Sequence, residues 1–143
     1  MGLIESNLRV LVIDANAHIR RLIATLLGAL AITDVAEART TEQAVPLMLH
    51  KAPDLIITDW TGDPTEVVLF VHRIRRGELV DNRTPVLALA TSTHHAVLER
   101  AWEVGIDDVI SKPISAMDVI QRAAALIQEY RPVDHIAAAS AAE

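Results

Sequence analysis

Five short apolar runs alternate with five amphipathic segments along the chain, and this alternation restricts the possible folds more than any other feature. Each run is apolar almost throughout, which is typical of strands that are buried on both faces of a sheet. The segments between them carry apolar residues at spacings of three and four, which predicts helices packed on that sheet. Strands separated by helices form parallel sheets with right-handed crossovers. We therefore predict an α/β, doubly wound, five-stranded parallel sheet of the flavodoxin-like kind.

Capping residues, glycines and prolines set the boundaries of these elements. Asn16 is suited to cap the first helix, Thr40 with Gln43 the second, and Ser115 with Asp118 the last. The predicted strands are 9–14, 32–36, 53–59, 85–90 and 109–111, and the predicted helices with their caps are 16–30, 40–51, 66–76, 94–104 and 115–130.

The 143 residues suit a single domain, which we place at residues 8–130, followed by an Ala-rich extension or tail at 131–143. Hydrophobic residues make up 51% of the chain, which is enough for a sizeable core. The absence of cysteine excludes disulfides, thiolate metal sites and cysteine nucleophiles. Because neither a signal peptide nor a membrane-spanning stretch is visible, we expect a cytoplasmic protein that does not contact a membrane.

The net charge of −6 argues against direct binding to nucleic acid, which an acidic protein repels. The only basic cluster comprises Arg73, Arg75 and Arg76. We expect these three side chains to form a solvated face of the third helix rather than a phosphate-binding patch.

Charged residues stand at the ends of three predicted strands. Asp14 ends the first strand, Asp59 ends the third and Lys112 follows the fifth. The carboxyl ends of these strands meet at one edge of a doubly wound sheet, so the three side chains should lie together. Two carboxylates and an ammonium can bind a divalent cation and hold a phosphoryl group, which an Asp can accept as an acyl phosphate.

Four segments in a fixed order carry a resemblance to a known family. They are residues 10–14 (VLVID), 54–59 (DLIITD), 84–87 (TPVL) and 105–113 (GIDD followed by KP). In this order and spacing they are similar to the receiver domain of two-component response regulators. The resemblance covers residues 8–130, nearly the whole chain.

The resemblance implies a role for each of the three charged residues. Asp59 would be the phospho-acceptor, Lys112 would contact the phosphoryl group, and Asp14 with Asp59 would hold Mg²⁺. The Lys112–Pro113 bond would be cis. The phosphoryl donor would be a histidine kinase or phosphotransfer protein, and phosphorylation would shift a two-state equilibrium of the last elements.

Because no output domain is visible in these residues, we expect a single-domain response regulator that is not an enzyme and that signals by contact with a downstream protein target. An apolar face around the fourth helix could serve a partner or a homodimer, and core packing explains most of it equally well. That face comprises Ala96, Val97, Ala101, Val104, Ile106 and Val109.

Three positions depart from the family pattern and predict an atypical receiver. Ala15 stands where a second acid usually follows Asp14 and ligates the metal directly, so the Mg²⁺ site should be weakened. Ala90 stands in place of a hydroxyl residue, and Thr91 could replace it only through a one-residue slip that reverses every side chain of the strand. Val109 replaces the aromatic switch residue.

Several functions are consistent with these residues. Within the family, Asp59 is phosphorylated with reduced dependence on Mg²⁺, or the chain is a pseudo-receiver that binds its partner without phosphorylation. We favour the first because Asp59 and Lys112 are both present. A nucleotide- or flavin-binding module would need a Gly-rich loop after the first strand, and residues 14–18 contain no glycine. A phosphatase or other hydrolase would need a second acid where Thr61 stands.

Overall fold

The computed structural model describes residues 7–61 and 64–130, which contain one parallel sheet of five strands in the order β2-β1-β3-β4-β5. The strands are β1 (Arg9–Ile13), β2 (Asp34–Ala38), β3 (Leu55–Asp59), β4 (Val86–Ala90) and β5 (Asp108–Ser111). The helices are α1 (Ala17–Gly28), α2 (Thr41–His50), α3 (Thr65–Arg75), α4 (His95–Val104) and α5 (Ala116–Tyr130). This order of strands and helices confirms the predicted doubly wound, flavodoxin-like fold.

The sheet separates two layers of core. Leu55 and Ile57 of the central strand β3 pack with residues of α1 and α5, whereas Ile56 between them packs with residues of α2, α3 and α4. All three side chains are fully buried. Successive side chains of a strand point to opposite faces, so an apolar run without alternation is what a sheet covered on both sides requires.

Strand β2 lies two residues later than predicted, at Asp34–Ala38 rather than 32–36. The apolar residue Ile32 lies in the turn that follows α1, where its N–H donates to the carbonyl of Leu27 at 3.2 Å. Ile32 is 1% exposed, so its hydrophobicity reflects burial beneath the helix end and not strand pairing. The other boundaries agree within about two residues, which is the ordinary scatter of element ends. The predicted tail at 131–143 lies outside the described residues.

The predicted caps form hydrogen bonds at the helix starts. The Asn16 side chain accepts from the His18 N–H at 2.8 Å, and the Thr40 hydroxyl accepts from the Gln43 N–H at 3.1 Å. Each bond satisfies an N–H group that the first helical turn leaves without a partner. At the end of α4, Gly105 has a φ of 101°, which is the left-handed conformation that favours glycine.

The prediction of one solvated arginine face is wrong for Arg75. Arg73 and Arg76 do pair with Glu78 near the surface. Arg75 instead reaches the segments that lead into β4 and β5, where it donates to the carbonyl of Thr84 at 2.8 Å and to the carboxylate of Asp107 at 2.7 Å. Helical periodicity could not show this, because a long side chain on the border of a helix face can extend either to solvent or to a neighbouring loop.

The apolar residues around α4 belong mainly to the core. Ala101, Val104 and Ile106 are each at most 5% exposed, and Val97 and Val109 are partly buried against the same core cluster. This leaves little of the face available to a partner, and homodimer formation stays a prediction. Within residues 7–61 and 64–130, no helix combines the length and apolar character that a membrane span requires.

Candidate functional site

The parallel strands bring the three predicted site residues together at one edge of the sheet. Asp59 is the last residue of β3, Asp14 follows β1, and Lys112 follows β5. The Nζ atom of Lys112 lies 2.8 Å from Oδ2 of Asp14 and 2.9 Å from Oδ1 of Asp59. The Lys112–Pro113 peptide bond is cis, as expected. One ammonium therefore bridges two carboxylates where the strand order of the sheet reverses, the usual place for ligands in such folds.

The remaining oxygen of each carboxylate also has a protein donor. Oδ1 of Asp14 accepts from the Asn16 N–H at 2.8 Å, and Oδ2 of Asp59 accepts from the Thr61 hydroxyl at 2.7 Å. The two acids differ in access, because the side chain of Asp14 is 4% exposed and that of Asp59 is 27% exposed. Asp14 is thus a fixed internal charge, whereas Asp59 can meet a reactant from solvent.

A guanidinium that the sequence did not single out holds the backbone of Asp14. Arg20 of α1 donates to the Asp14 carbonyl at 2.7 Å and to the Glu37 carboxylate at 2.9 Å. It thereby ties the loop after β1 to the edge strand β2. The only available signal was an Arg one turn beyond the Asn16 cap, which is too common a feature to predict this contact.

Two opposing influences set the pKa of Lys112. Burial disfavours the ammonium, but the hydrogen bonds and charges of Asp14 and Asp59 outweigh burial and raise the pKa above its ordinary value. Lys112 is therefore positively charged throughout the neutral range.

The raised pKa of Lys112 predicts a loss of stability at alkaline pH. A group with a raised folded pKa stabilises fully below its unfolded pKa, and that contribution is lost as pH rises through the folded pKa. We expect the urea midpoint of the wild type to fall more between about pH 8 and about pH 11 than that of Lys112→Met. Burial and Asp107 also raise the pKa of Tyr130, but this effect is common to both proteins. Equal falls in the two midpoints would contradict the prediction.

A small cavity of about 140 Å³ opens beside Asp59. Ala15 lines it in place of the second acid, and Arg39 and Glu66 line it from neighbouring segments. Carboxylate oxygens are the ligands that Mg²⁺ prefers, and Asp14 and Asp59 supply them. In the described part of the chain, however, no three acidic or histidine side chains are grouped to hold a metal ion. Asp14 and Asp59 thus provide the type of ligand that Mg²⁺ prefers, but the described residues do not group a third such side chain with them.

The structure shows no slip of β4 that would bring a hydroxyl to the site. Ala90 is the last residue of β4, pairs with Ser111 and is 1% exposed. Thr91 follows the strand, is exposed, and lines a neighbouring groove together with the buried Trp60. The backbone of Lys112 donates to the Ala90 carbonyl at 2.8 Å, so this strand end contacts Lys112 through its main chain.

The profile of the response regulator receiver domain matches residues 10–124. The chain belongs to this family. Receiver domains are modules of two-component signalling. They interact with histidine kinases or phosphotransfer proteins and with downstream targets, and they generally bind Mg²⁺ at the phosphorylation site.

Several known proteins resemble this receiver domain along most of its length. The phosphate regulon transcriptional regulatory protein PhoB of Pseudomonas aeruginosa is 32% identical over 125 residues, which are 87% of this chain and 54% of PhoB. Chemotaxis protein CheY-3 of Vibrio cholerae is 24% identical over 115 residues, 80% of this chain and 88% of CheY-3. The receiver domain of the Francisella response regulator 1452 has a TM-score of 0.74 at 25% identity, covering 86% of this chain and 98% of that one. This receiver chain spans about half the length of PhoB.

Proposed function

We propose that this receiver is an atypical response regulator that accepts a phosphoryl group on Asp59 and signals by contact with a protein target. The main support is the position of Asp59, which ends β3, is 27% exposed and lies 2.9 Å from the Lys112 ammonium. An accessible nucleophile beside a fixed positive charge is the arrangement that phosphoryl transfer needs.

The proposed reaction moves a phosphoryl group from a phosphohistidine of a histidine kinase or phosphotransfer protein. A carboxylate oxygen of Asp59 attacks phosphorus, the new O–P bond forms, and the N–P bond breaks as the departing imidazole takes up a proton. Lys112 stays protonated and stabilises the charge on the phosphoryl oxygens. Asp14, buried and bonded to the same ammonium, keeps Lys112 in place.

Mg²⁺, when bound, would be held by Asp14 and Asp59 and would neutralise further charge on the phosphoryl group. With Ala15 next to Asp14, the ion has one carboxylate fewer than the family usually offers. We therefore propose a weak Mg²⁺ site and phosphorylation with reduced dependence on this ion.

A pseudo-receiver that binds its partner without phosphorylation is the second candidate. The observation that favours it is the packing around the acceptor, since Ala90 presents no hydroxyl and Val109 no aromatic ring. In addition, each oxygen of Asp14 and Asp59 already has a protein donor. Such a closed network could serve as a fixed structural element of an interaction module.

Phosphorylation of Asp59 is the outcome that distinguishes the two candidates. On incubation with acetyl phosphate and Mg²⁺, we expect the intact mass of the wild type to rise by that of one phosphoryl group. Asp59→Asn should show no such rise, because the amide is not a nucleophile for phosphorus. Asp81→Asn is the matched control, since Asp81 is an exposed carboxylate in the loop before β4, at the opposite edge of the sheet.

A wild type that gains no phosphoryl mass, from acetyl phosphate or from a kinase, would favour the pseudo-receiver. A gain that persists in Asp59→Asn would place the acceptor elsewhere. If Asp81→Asn also fails to gain the mass of a phosphoryl group, the assay reports on folding and not on the acceptor.

A further inference from the structure

The loop between β2 and α2 forms one wall of the cavity beside Asp59, and none of its residues has a role in the proposed phosphoryl transfer. Arg39 in this loop lines the cavity together with Asp14 and Asp59. We propose that Arg39 binds oxygens of the phosphoryl group on Asp59. Its positive charge would replace part of the charge that a weak Mg²⁺ site, with Ala15 in place of the second acid, does not supply. This inference rests on the proposed phosphorylation of Asp59.

The sheet register places Arg39 level with Asp14. Ala38 at the end of β2 is the partner of Ile13 in β1, and the Asp14 N–H donates to the Ala38 carbonyl at 3.1 Å. The next residue along β2 is Arg39. The Arg39 N–H donates to the side chain of Gln43 at 3.2 Å, so its backbone is held at this edge of the sheet.

The guanidinium of Arg39, unlike the other cations near the acceptor, is available to a ligand. Lys112 already contacts both carboxylates, and Arg20 contacts Glu37 and the carbonyl of Asp14. Across residues 7–61 and 64–130, the side chain of Arg39 has no hydrogen bond or ion pair, and the residue is exposed. Arg39 therefore lines the cavity of Asp14 and Asp59 with a side chain that no described residue engages, so its guanidinium can turn to an anionic ligand there.

The charge balance of the site favours such a ligand contact. Before phosphorylation, the ammonium of Lys112 faces two carboxylates, Asp14 and Asp59. A phosphoryl group brings close to two negative charges, and Lys112 alone cannot balance these together with Asp14. A guanidinium offers paired N–H donors that match phosphoryl oxygens, and it keeps its charge at every physiological pH.

Glu66 is the competing candidate for compensation at this cavity. It lines the same cavity and could add a carboxylate ligand for Mg²⁺ in place of the missing acid. In the described residues, however, Glu66 does not form a group of three potential metal ligands with Asp14 and Asp59. Among the described residues, Arg39 is therefore a better candidate for compensation than Glu66, and Asp63 in the loop after Asp59 lies outside the described residues.

Rates of phosphorylation across a series of Mg²⁺ concentrations test the role of Arg39. With acetyl phosphate as donor and no added divalent ion, Arg39→Gln should be phosphorylated about tenfold more slowly than the wild type, as loss of one charge-assisted hydrogen bond implies. Arg39→Lys should retain most of the rate because it keeps the charge. Arg83→Gln is the matched control, since Arg83 is an exposed arginine in the loop before β4, at the opposite edge of the sheet.

A binding measurement that involves no phosphoryl transfer gives a second readout. Beryllofluoride mimics a phosphoryl group on a carboxylate, and calorimetric titration without added Mg²⁺ should give a dissociation constant about tenfold higher for Arg39→Gln than for Arg83→Gln.

Three results would overturn the inference. If the wild type is phosphorylated on Asp59 but Arg39→Gln and Arg83→Gln behave alike in both assays, Arg39 does not bind the phosphoryl group while the proposed function stands. If Glu66→Gln raises the Mg²⁺ requirement and Arg39→Gln does not, the compensation comes from the acid. If the wild type gains no phosphoryl mass at all, the proposed function fails and the inference fails with it.

Discussion

Ala15→Asp is expected to raise the affinity of the chain for Mg²⁺ by about tenfold or more, because a third carboxylate would then face the ion. Ala15 lines the cavity beside Asp59, so a carboxylate at this position would lie on the wall that Asp14 and Asp59 already share. The residue is exposed, which leaves room for the larger side chain. The substitution should also make phosphorylation of Asp59 depend more steeply on Mg²⁺.

Trp60 provides a fluorescence signal for this measurement. It follows Asp59 directly and is 6% exposed, whereas Trp102 on α4 is 47% exposed. A Trp102→Phe background therefore isolates Trp60, and Mg²⁺ titrations in that background should report on the surroundings of Asp59. Ala52→Asp is the matched control, because Ala52 is an exposed alanine before β3, at the opposite edge of the sheet. If both substitutions change the affinity equally, the effect is that of net charge and the cavity has no special role.

Arg75→Met is expected to lower the free energy of unfolding by about 2–4 kcal/mol, one of the larger effects that a single substitution outside the hydrophobic core can have. The guanidinium donates to the carbonyls of Asn82, Thr84 and Gly105 at 2.7 to 3.0 Å, and to the carboxylate of Asp107 at 2.7 Å. It thus joins the end of α3 to the segments that enter β4 and β5. Without it, those carbonyls lose this donor, and the carboxylate of Asp107, which is 18% exposed, loses its charged partner and keeps only the Val86 N–H and the Tyr130 hydroxyl.

Arg73→Met is the matched control for Arg75→Met, since it removes the same charge from the same helix. Arg73 pairs with Glu78 at 3.4 Å, and both side chains are 44% exposed. An ion pair of this kind usually contributes less than about 1 kcal/mol. Urea unfolding should therefore separate the two variants by roughly 1 M in midpoint. Similar midpoints would show that the Arg75 contacts are worth no more than a surface ion pair.

The fold and the acidic edge of the sheet could be predicted because both follow from strand patterns. Apolar runs without alternation fix the strands as buried on both faces, and parallel strands bring Asp14, Asp59 and Lys112 to one edge whatever the details of packing. The cis bond before Pro113 came from the family resemblance, because sequence pattern alone does not select the isomer.

The arginine contacts could not be predicted, because they depend on where loops lie in three dimensions. Arg20 and Arg75 lie on helices and helical periodicity assigns both to solvent, while Arg39 lies in a loop where periodicity carries no information. In the structure, Arg75 binds loop carbonyls, Arg20 holds the backbone after β1, and Arg39 lines the cavity of Asp59. A flexible side chain with five N–H donors reaches targets that are distant in sequence, so local pattern carries little information about its partners.

The Lys112 bridge gives the resting protein a counter-ion that is part of its own chain. A tethered group acts at an effective concentration of about millimolar or higher, irrespective of the surrounding solution. Any divalent ion that approaches Asp14 and Asp59 therefore competes with a cation that dilution and chelators cannot remove. A positive charge therefore stays beside Asp14 and Asp59 when free Mg²⁺ falls.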